Sequence, residues 1–265
     1  MKTCLTIAGS DSIGGAGIQA DIKTMTALGV YGMTAIASLT AQNTTGVKSI
    51  SEVSKDFLSD QLDMIINDIF PDAVKTGCIS SPELISEVVE KIKQYKLKNI
   101  VVDPVIFSKS GVKLIKDEAI TEMKNKLLNL ANLITPNILE LEIISEIKIK
   151  NIDDMISASK KTYEKYGCAV PCKGGHGIND GEDLLYNGKG IKWFKTKKID
   201  TKNLHGTGCT LSSAISSFLA LNWSIEEAIF KAKEFLTGYL ENSFKMGKGF
   251  EPINHCFQIK NNILF

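Results

Sequence analysis

Short apolar runs of strand length alternate along the chain with segments in which apolar residues recur every three or four positions. That alternation predicts a parallel sheet covered by helices on both faces. Strands are expected at 4–8, 33–39, 73–76, 100–105, 133–135 and 168–173. Helices are expected at 16–28, 56–69, 82–95, 118–130, 138–145 and 153–166. Local punctuation agrees: Gly29 is placed to cap the first helix, Pro82 suits a first helical turn, and Ser224 with Glu227 spells a capping box. Segments 183–186 and 191–197, around Asn187, Gly188, Lys189 and Gly190, read as an antiparallel hairpin added to the sheet edge. The C-terminal third returns to helix.

At 265 residues the chain can bury a large core. No repeat, low-complexity linker or composition break divides it, so a single domain over 1–265 is expected. The balance of 31 Lys and Arg against 30 Asp and Glu gives a net charge of +1. No overall field therefore draws the chain to nucleic acid or an anionic membrane, and small-molecule partners are expected. Lysine-rich stretches near 148 and 195 read as solvated faces. The six cysteines, at 4, 78, 168, 172, 209 and 256, lack paired CxxC spacing, which argues against a disulfide framework or a zinc site. Free thiols fit a reducing cytoplasm. Cys168 and Cys172 read as buried strand residues rather than ligands. No apolar run approaches the roughly 20 residues of a membrane span, and the opening apolar stretch is too brief for a signal-peptide core.

Candidate chemistry concentrates in three places. In HGTGCTLSSAISSFLAL, residues 205–221, Gly206 and Gly208 permit a tight turn. The N–H groups of Thr207, Gly208 and Cys209 can then converge at a helix start, where the helix dipole favours both a phosphoryl oxygen and a thiolate. The same residues also fit an ordinary glycine-rich turn holding a buried cysteine, and other segments must separate the two. In GSDSIGGAGIQAD, Gly9, Gly14, Gly15 and Gly17 let a ligand approach backbone ahead of a helix bearing Asp21. Gly15, Gly17 and Ala20 match a GxGxxA dinucleotide fingerprint, but AIASLTAQN lacks the ribose-binding acid that an NAD(P)-binding oxidoreductase needs. No Walker A loop occurs. Third, Asp103 in VVDP and Asn137 with Glu140 in TPNILE fall at carboxyl ends of predicted parallel strands, where doubly wound sheets bind ligands. Taken singly, Asn137 reads as a helix cap and Glu140 as a first-turn acid; taken with the anion-binding turn, the pair reads as a Mg²⁺-organising site. Lys173, ending a strand before two glycines, suits a point charge against phosphate. His176, His205 and His255 read as structural, and none has the partner pattern of a hydrolytic triad.

The segments LTIAGSDSIGGAGIQADIKT, TAQNTTGV, VKTG, VVDPV with KSG, LITPNILE, KGGH, HGTGCTLSSAI and PINH, in this order along nearly the full length, resemble the ribokinase superfamily. Within it they resemble most the hydroxymethylpyrimidine/phosphomethylpyrimidine kinase family of thiamin biosynthesis. The resemblance implies a three-layer αβα fold with a mostly parallel central sheet, usually a cytoplasmic homodimer. It implies Mg·ATP-dependent phosphorylation of hydroxymethylpyrimidine and then of its monophosphate. By position, Cys209 stands for the catalytic base, with Gly206, Thr207 and Gly208 as the hole around the transferred phosphoryl group. Gln42 and Asp21 would hold the pyrimidine beside Gly9, and Cys78 would form a smaller wall where many relatives place methionine. Asp103, Asn137 and Glu140 would organise metal and phosphates, and Lys173 and Lys233 would approach ATP. Pyridoxal kinase is the nearest rival; the Gln42 amide favours the pyrimidine, whose ring nitrogen and exocyclic amine present a paired donor and acceptor edge. A noncatalytic nucleotide-binding protein is a rival of another class, distinguished by whether Cys209 is needed. Pro171, unusual within a strand, suggests an edge or kink.

Overall fold

The computed structural model describes residues 1–108, 111–174, 182–195, 204–242 and 244–256. In chain order its elements are β1 (Thr3–Asp11), α1 (Gly17–Ala27), β2 (Tyr31–Asn43), β3 (Gly46–Glu52), α2 (Lys55–Asp68), β4 (Ala73–Thr76), α3 (Pro82–Tyr95), β5 (Ile100–Val102), α4 (Asp117–Glu122), β6 (Leu133–Ile134), α5 (Ile138–Ser145), α6 (Ile152–Tyr166), β7 (Val170–Cys172), β8 (Asp183–Tyr186), β9 (Ile191–Phe194), β10 (Leu204–His205), α7 (Thr207–Ala220), α8 (Ile225–Glu241) and β11 (Glu251–Pro252). The main sheet runs β3-β2-β1-β4-β5-β6, parallel throughout except for the antiparallel edge β3. A three-stranded antiparallel sheet, β7-β8-β9, continues from it through the Leu133–Ala169 bridge.

Helices α2 to α6 cover one face and α1, α7 and α8 the other, so the three-layer α/β arrangement expected from the alternation is present. Apolar side chains explain it: Leu58, Leu62, Leu84 and Ile85 lie against the first face, and Ile215, Ile229 and Phe235 against the second. The caps are also where the sequence puts them. Ser224 and Glu227 form a capping box, Pro82 opens α3, and Gly29 takes a positive φ of 73° just past α1.

The differences have local causes. Strand β3 is absent from the expected strands, because its residues lie mostly exposed and carry no buried face to betray the pleat; its hydrogen bonds to β2 hold it. Strands β1 and β2 run several residues beyond their apolar cores, through a register shift at Ala8/Gly9, into a polar end that borders a cavity. Strand β5 stops at Val102, ahead of Pro104, which has no N–H to give a ladder. The helix expected over 118–130 is α4 followed by a π turn (Met123–Leu127) and a 3-10 turn (Leu128–Leu130), tightening as Ala131 turns extended toward β6. Pro171 is not at an edge as expected: it pairs with Leu185 of β8, and on its other side it lies between the Ala169 N–H donating to the Asn132 carbonyl and the Lys173 N–H donating to the Pro136 carbonyl, where its missing N–H leaves one ladder bond unmade. The expected strand 191–197 is described only to residue 195.

Candidate active site

A cavity of about 800 Å³ opens at the carboxyl ends of the strands, within the roughly 300–1,000 Å³ usual for small-molecule sites. Into it reach the residues just past β1, β4, β5, β6 and β7, together with the start of α7 and one face of α8. The strand order reverses beside β1, so this is the topological switch point of the sheet.

The turn entering α7 forms one wall. Gly206 is the N-cap, with φ 89°, and a Cβ there would lie 1.8 Å from the carbonyl oxygen of Gly15. Only glycine lets the two glycine loops touch in this way. Thr207, Gly208 and Cys209 follow as the first helical residues, and their N–H groups have no intrahelical acceptor. A Cβ at Gly208 would lie 3.4 Å from Lys173 Nζ and 3.8 Å from Asp103 Oδ2, so the helix start abuts both charges. The anion-binding turn, Asp103, Glu140 and Lys173 therefore border one cavity.

Asp103 is fixed from three sides. Thr135 Oγ1 donates to Oδ1 at 3.0 Å, Ser212 Oγ donates to Oδ2 at 3.0 Å, and Lys173 Nζ lies 3.7 Å away. Glu140 and Asn137 make a reciprocal capping box: Glu140 N donates to Asn137 Oδ1, and Asn137 N donates to Glu140 Oε2, each at 2.9 Å. Both face the cavity all the same. Burial pushes the Glu140 carboxyl up to about 7; Lys173 opposes this and the charge of Asp103 adds to it. Burial likewise disfavours charge on Lys173, but Asp103 and Glu140 outweigh it and hold its pKa above the usual lysine range. Among the described residues no group of three or more His, Cys, Asp or Glu side chains is arranged to hold a metal. Two carboxylates short of positive charge still fit Mg²⁺, which takes one or two protein carboxylates and completes its shell with phosphate and water oxygens. Lys233 borders the cavity with its ammonium engaged, 2.7 Å from Asp183 Oδ2 and donating to the Phe194 carbonyl at 3.1 Å.

Two expectations require correction. The helix terminus does not lower the Cys209 thiol: burial dominates and pushes it up to about 12, against the charge of Lys75, with Asp21 and Asp103 adding to the rise. Asp21 does not reach the cavity. Its carboxylate is fully buried, accepting from Thr6 Oγ1 at 2.6 Å, Ser213 Oγ at 2.5 Å and Lys75 Nζ at 2.9 and 3.1 Å. Four such bonds leave it nothing to offer a pyrimidine.

Gly9, Gln42 and Cys78 border the other end of the cavity with Ser38, Thr40 and Ile50. Gly9 N donates to the Cys78 carbonyl at 3.1 Å, closing β1 onto the residues after β4. The end of β2 carries Gln42 and Asn43 rather than an acid, so the dinucleotide reading finds no ribose partner. His255 is buried off the cavity, 2.9 Å from Thr210 Oγ1, and burial pushes its ring down to about 4. His176 lies outside the described residues. Cys168 and Cys172 are buried.

Three residues gain a place that the sequence alone does not give them. Asp11 accepts from the amides of Gly15 and Ala16 at 3.0 and 2.8 Å, and His205 Nε2 lies 2.8 Å from its Oδ2. Burial alone would raise its pKa, but His205 and the amides of Ala16 and Ile13 hold it below the usual carboxylate range. Gln42 Nε2 lies 3.0 Å from the same His205 nitrogen. Its Oε1 accepts from Thr40 Oγ1 at 3.3 Å, so the amide is held at the cavity wall. The third is Lys75, whose signal is visible as the one charge within the buried run AVKT.

The profile of the phosphomethylpyrimidine kinase family matches residues 11–254. The hydroxymethylpyrimidine/phosphomethylpyrimidine kinase of Bacillus subtilis is 41% identical over 262 residues, 98% of this chain and 96% of that protein. The thiamine biosynthesis bifunctional protein ThiED of Geobacter sulfurreducens is 43% identical over 95% of this chain, which spans 51% of that protein's length. Among solved structures, phosphomethylpyrimidine kinase from Clostridium difficile is 46% identical with a TM-score of 0.82, covering 89% of this chain and 98% of its own. The pyridoxal kinase of Staphylococcus aureus, in complex with AMP-PCP and pyridoxal, is 32% identical with a TM-score of 0.89, covering 99% and 96%.

Proposed function

The chain belongs to the phosphomethylpyrimidine kinase family, and from that premise we propose that it phosphorylates hydroxymethylpyrimidine and then the resulting monophosphate with Mg·ATP, in thiamine biosynthesis. The observation that carries the reading is the meeting of the α7 amides with Asp103, Glu140 and Lys173 at one cavity.

Phosphoryl transfer asks a protein mainly for positioning and charge neutralisation. The N–H groups of Thr207, Gly208 and Cys209 accept charge developing on the transferred group, and Lys173 adds a fixed cation beside them. Asp103 and Glu140 would hold Mg²⁺, which when bound neutralises charge on the nucleotide phosphates. The fraction of Cys209 present as thiolate takes the hydroxyl proton on Sγ as the substrate oxygen bonds to the γ-phosphorus. The bond from that phosphorus to its bridging oxygen breaks, and ADP leaves with the electron pair. Asn137 fixes Glu140 by the capping box, Lys233 braces the wall on the nucleotide side, and Gly9, Gln42 and Cys78 border the pyrimidine. A cytoplasmic homodimer, each chain one kinase domain over 1–265, completes the reading on the family resemblance.

A second reading, pyridoxal kinase, draws on the similarity to the Staphylococcus aureus enzyme. The Gln42 amide at the cavity wall favours the pyrimidine, because an amide can both donate to and accept from that ring's polar edge. Incubation of purified protein with Mg·ATP and, separately, hydroxymethylpyrimidine, its monophosphate and pyridoxal tests this by product mass. Mono- and diphosphate from the two pyrimidines support it; phosphorylation of pyridoxal alone transfers the site to the second reading.

A further inference from the structure

Behind Cys209 lies a pair of charges that the phosphoryl-transfer scheme leaves unused. Lys75 and Asp21 are both fully buried, 2.9 Å apart, an arrangement costly to keep unless the charges serve something. The pair is wired to the helix that carries the thiol. Ser213, one turn beyond Cys209 on α7, donates to Asp21 Oδ1, and Thr6 of β1 donates to Oδ2. Lys75 Nζ donates to both Asp21 oxygens, at 3.1 and 2.9 Å, and Lys75 borders the cavity alongside Cys209. Gly17, the first residue of α1, borders the same wall of the cavity as Cys209.

We infer that the Lys75–Asp21 pair sets the reactivity of Cys209, Lys75 supplying the positive charge that favours loss of the thiol proton and Asp21 anchoring that lysine while tempering its charge. This rests on the reading of Cys209 as proton acceptor. Every element packed around the sulfur enters the balance: Lys75 from β4 and Lys173 from beyond β7 favour the thiolate, and Asp21 from α1 and Asp103 from beyond β5 oppose it. Cys78, beyond β4, is a second half-buried thiol bordering the same cavity. The lysine outweighs the aspartate at the sulfur, so the pair as a whole acts against the burial that keeps the proton on. Both are positioning residues, acting through Cys209 and not on the substrate.

The test is the alkylation rate of Cys209 by iodoacetamide at about pH 8, read by peptide mass spectrometry to separate it from the other cysteines. The reagent is neutral, and below the thiol pKa its rate follows the thiolate fraction, which falls about tenfold when that pKa rises by one. Lys75→Met is expected to slow alkylation about tenfold or more, and Asp21→Asn to speed it by a similar factor. A merely structural pair would loosen the site in both variants and move both rates the same way. Rates that share a direction, or that stay within threefold of wild type, overturn the inference. Should either single variant fail to fold, Lys75→Met/Asp21→Leu removes both charges together. A rate at least threefold below wild type then upholds the inference, and any other overturns it. Wild-type protein that phosphorylates none of the three alcohols, yet shows the opposed alkylation changes, breaks the kinase reading and leaves the charge assignment standing.

Discussion

The two ends of the cavity are built differently. At the phosphate end the two carboxylates and the helix turn are braced by neighbours: Asp103 by Thr135 and Ser212, Glu140 by Asn137, and the α7 turn by its close approach to Gly15. At the ring end, Gln42 and Ile50 sit toward the far end of β2 and on the edge strand β3, where the residues are largely exposed. Preorganisation is what phosphoryl transfer requires, because donors already in place need not reorganise as charge develops. Substrate choice requires only a few placed contacts, so an edge that can change without disturbing the core suits it. Chemistry should therefore respond steeply to changes at the first end, and selectivity mildly to changes at the second.

The largest effect is expected from Cys209→Ala, which should lower kcat by about 10²- to 10⁴-fold with little change in ATP affinity, measured by steady-state kinetics and calorimetry. The pH profile sharpens it. A thiol held up to about 12 offers more thiolate as pH rises, so wild-type kcat should climb between about pH 7 and 9 and the residual rate of the alanine variant should not. Wild-type turnover in the variant would leave a noncatalytic nucleotide-binding role. Next comes Gly206→Ala, whose methyl group meets the Gly15 carbonyl and whose φ of 89° it cannot adopt freely. Displaced amides should lower kcat about 100-fold, with thermal unfolding measured alongside to separate a shift of the turn from loss of the fold.

How the phosphate end is anchored can be broken by pH as well. His255 bonds Thr210 one residue past Cys209, and burial lowers its ring from 6.5 to about 4. The unfolded chain binds a proton that the folded chain refuses, so this contribution is intact above about pH 6.5 and is lost as pH falls toward 4. Between about pH 7.5 and 5, wild type should lose about 2 kcal/mol more unfolding free energy in urea than His255→Gln. The smallest effect belongs to the ring end: Gln42→Met should lower kcat/KM for hydroxymethylpyrimidine about tenfold more than for pyridoxal. The opposite order would remove the basis for preferring the pyrimidine.

The same contrast governs what can be read in the sequence. The core strands and most helices are legible because burial on one or both faces imposes a period, and the caps because their side chains have one local job. Residues 206–209, Asp103 and Glu140 are legible from their places at strand and helix ends. Strand β3 is not, because an exposed edge leaves no hydrophobic period. Nor are the roles of Asp11 with His205 or of Lys75 with Asp21, whose partners lie 194 and 54 positions away. The reactivity of Cys209 misleads for a related reason: a helix start is a local feature, whereas burial depends on every element that folds over it.

The claim on which the rest stands is that the amides of residues 207–209 receive the phosphoryl group in transfer. Amide proton and nitrogen shifts of isotopically labelled protein, followed as Mg·ADP and aluminium fluoride are added as a mimic of that group, address it directly. The fluoride-dependent shifts should be largest at Thr207, Gly208 and Cys209 and small along β3. Unmoved resonances at those three residues, with the fluoride response concentrated elsewhere, would contradict it.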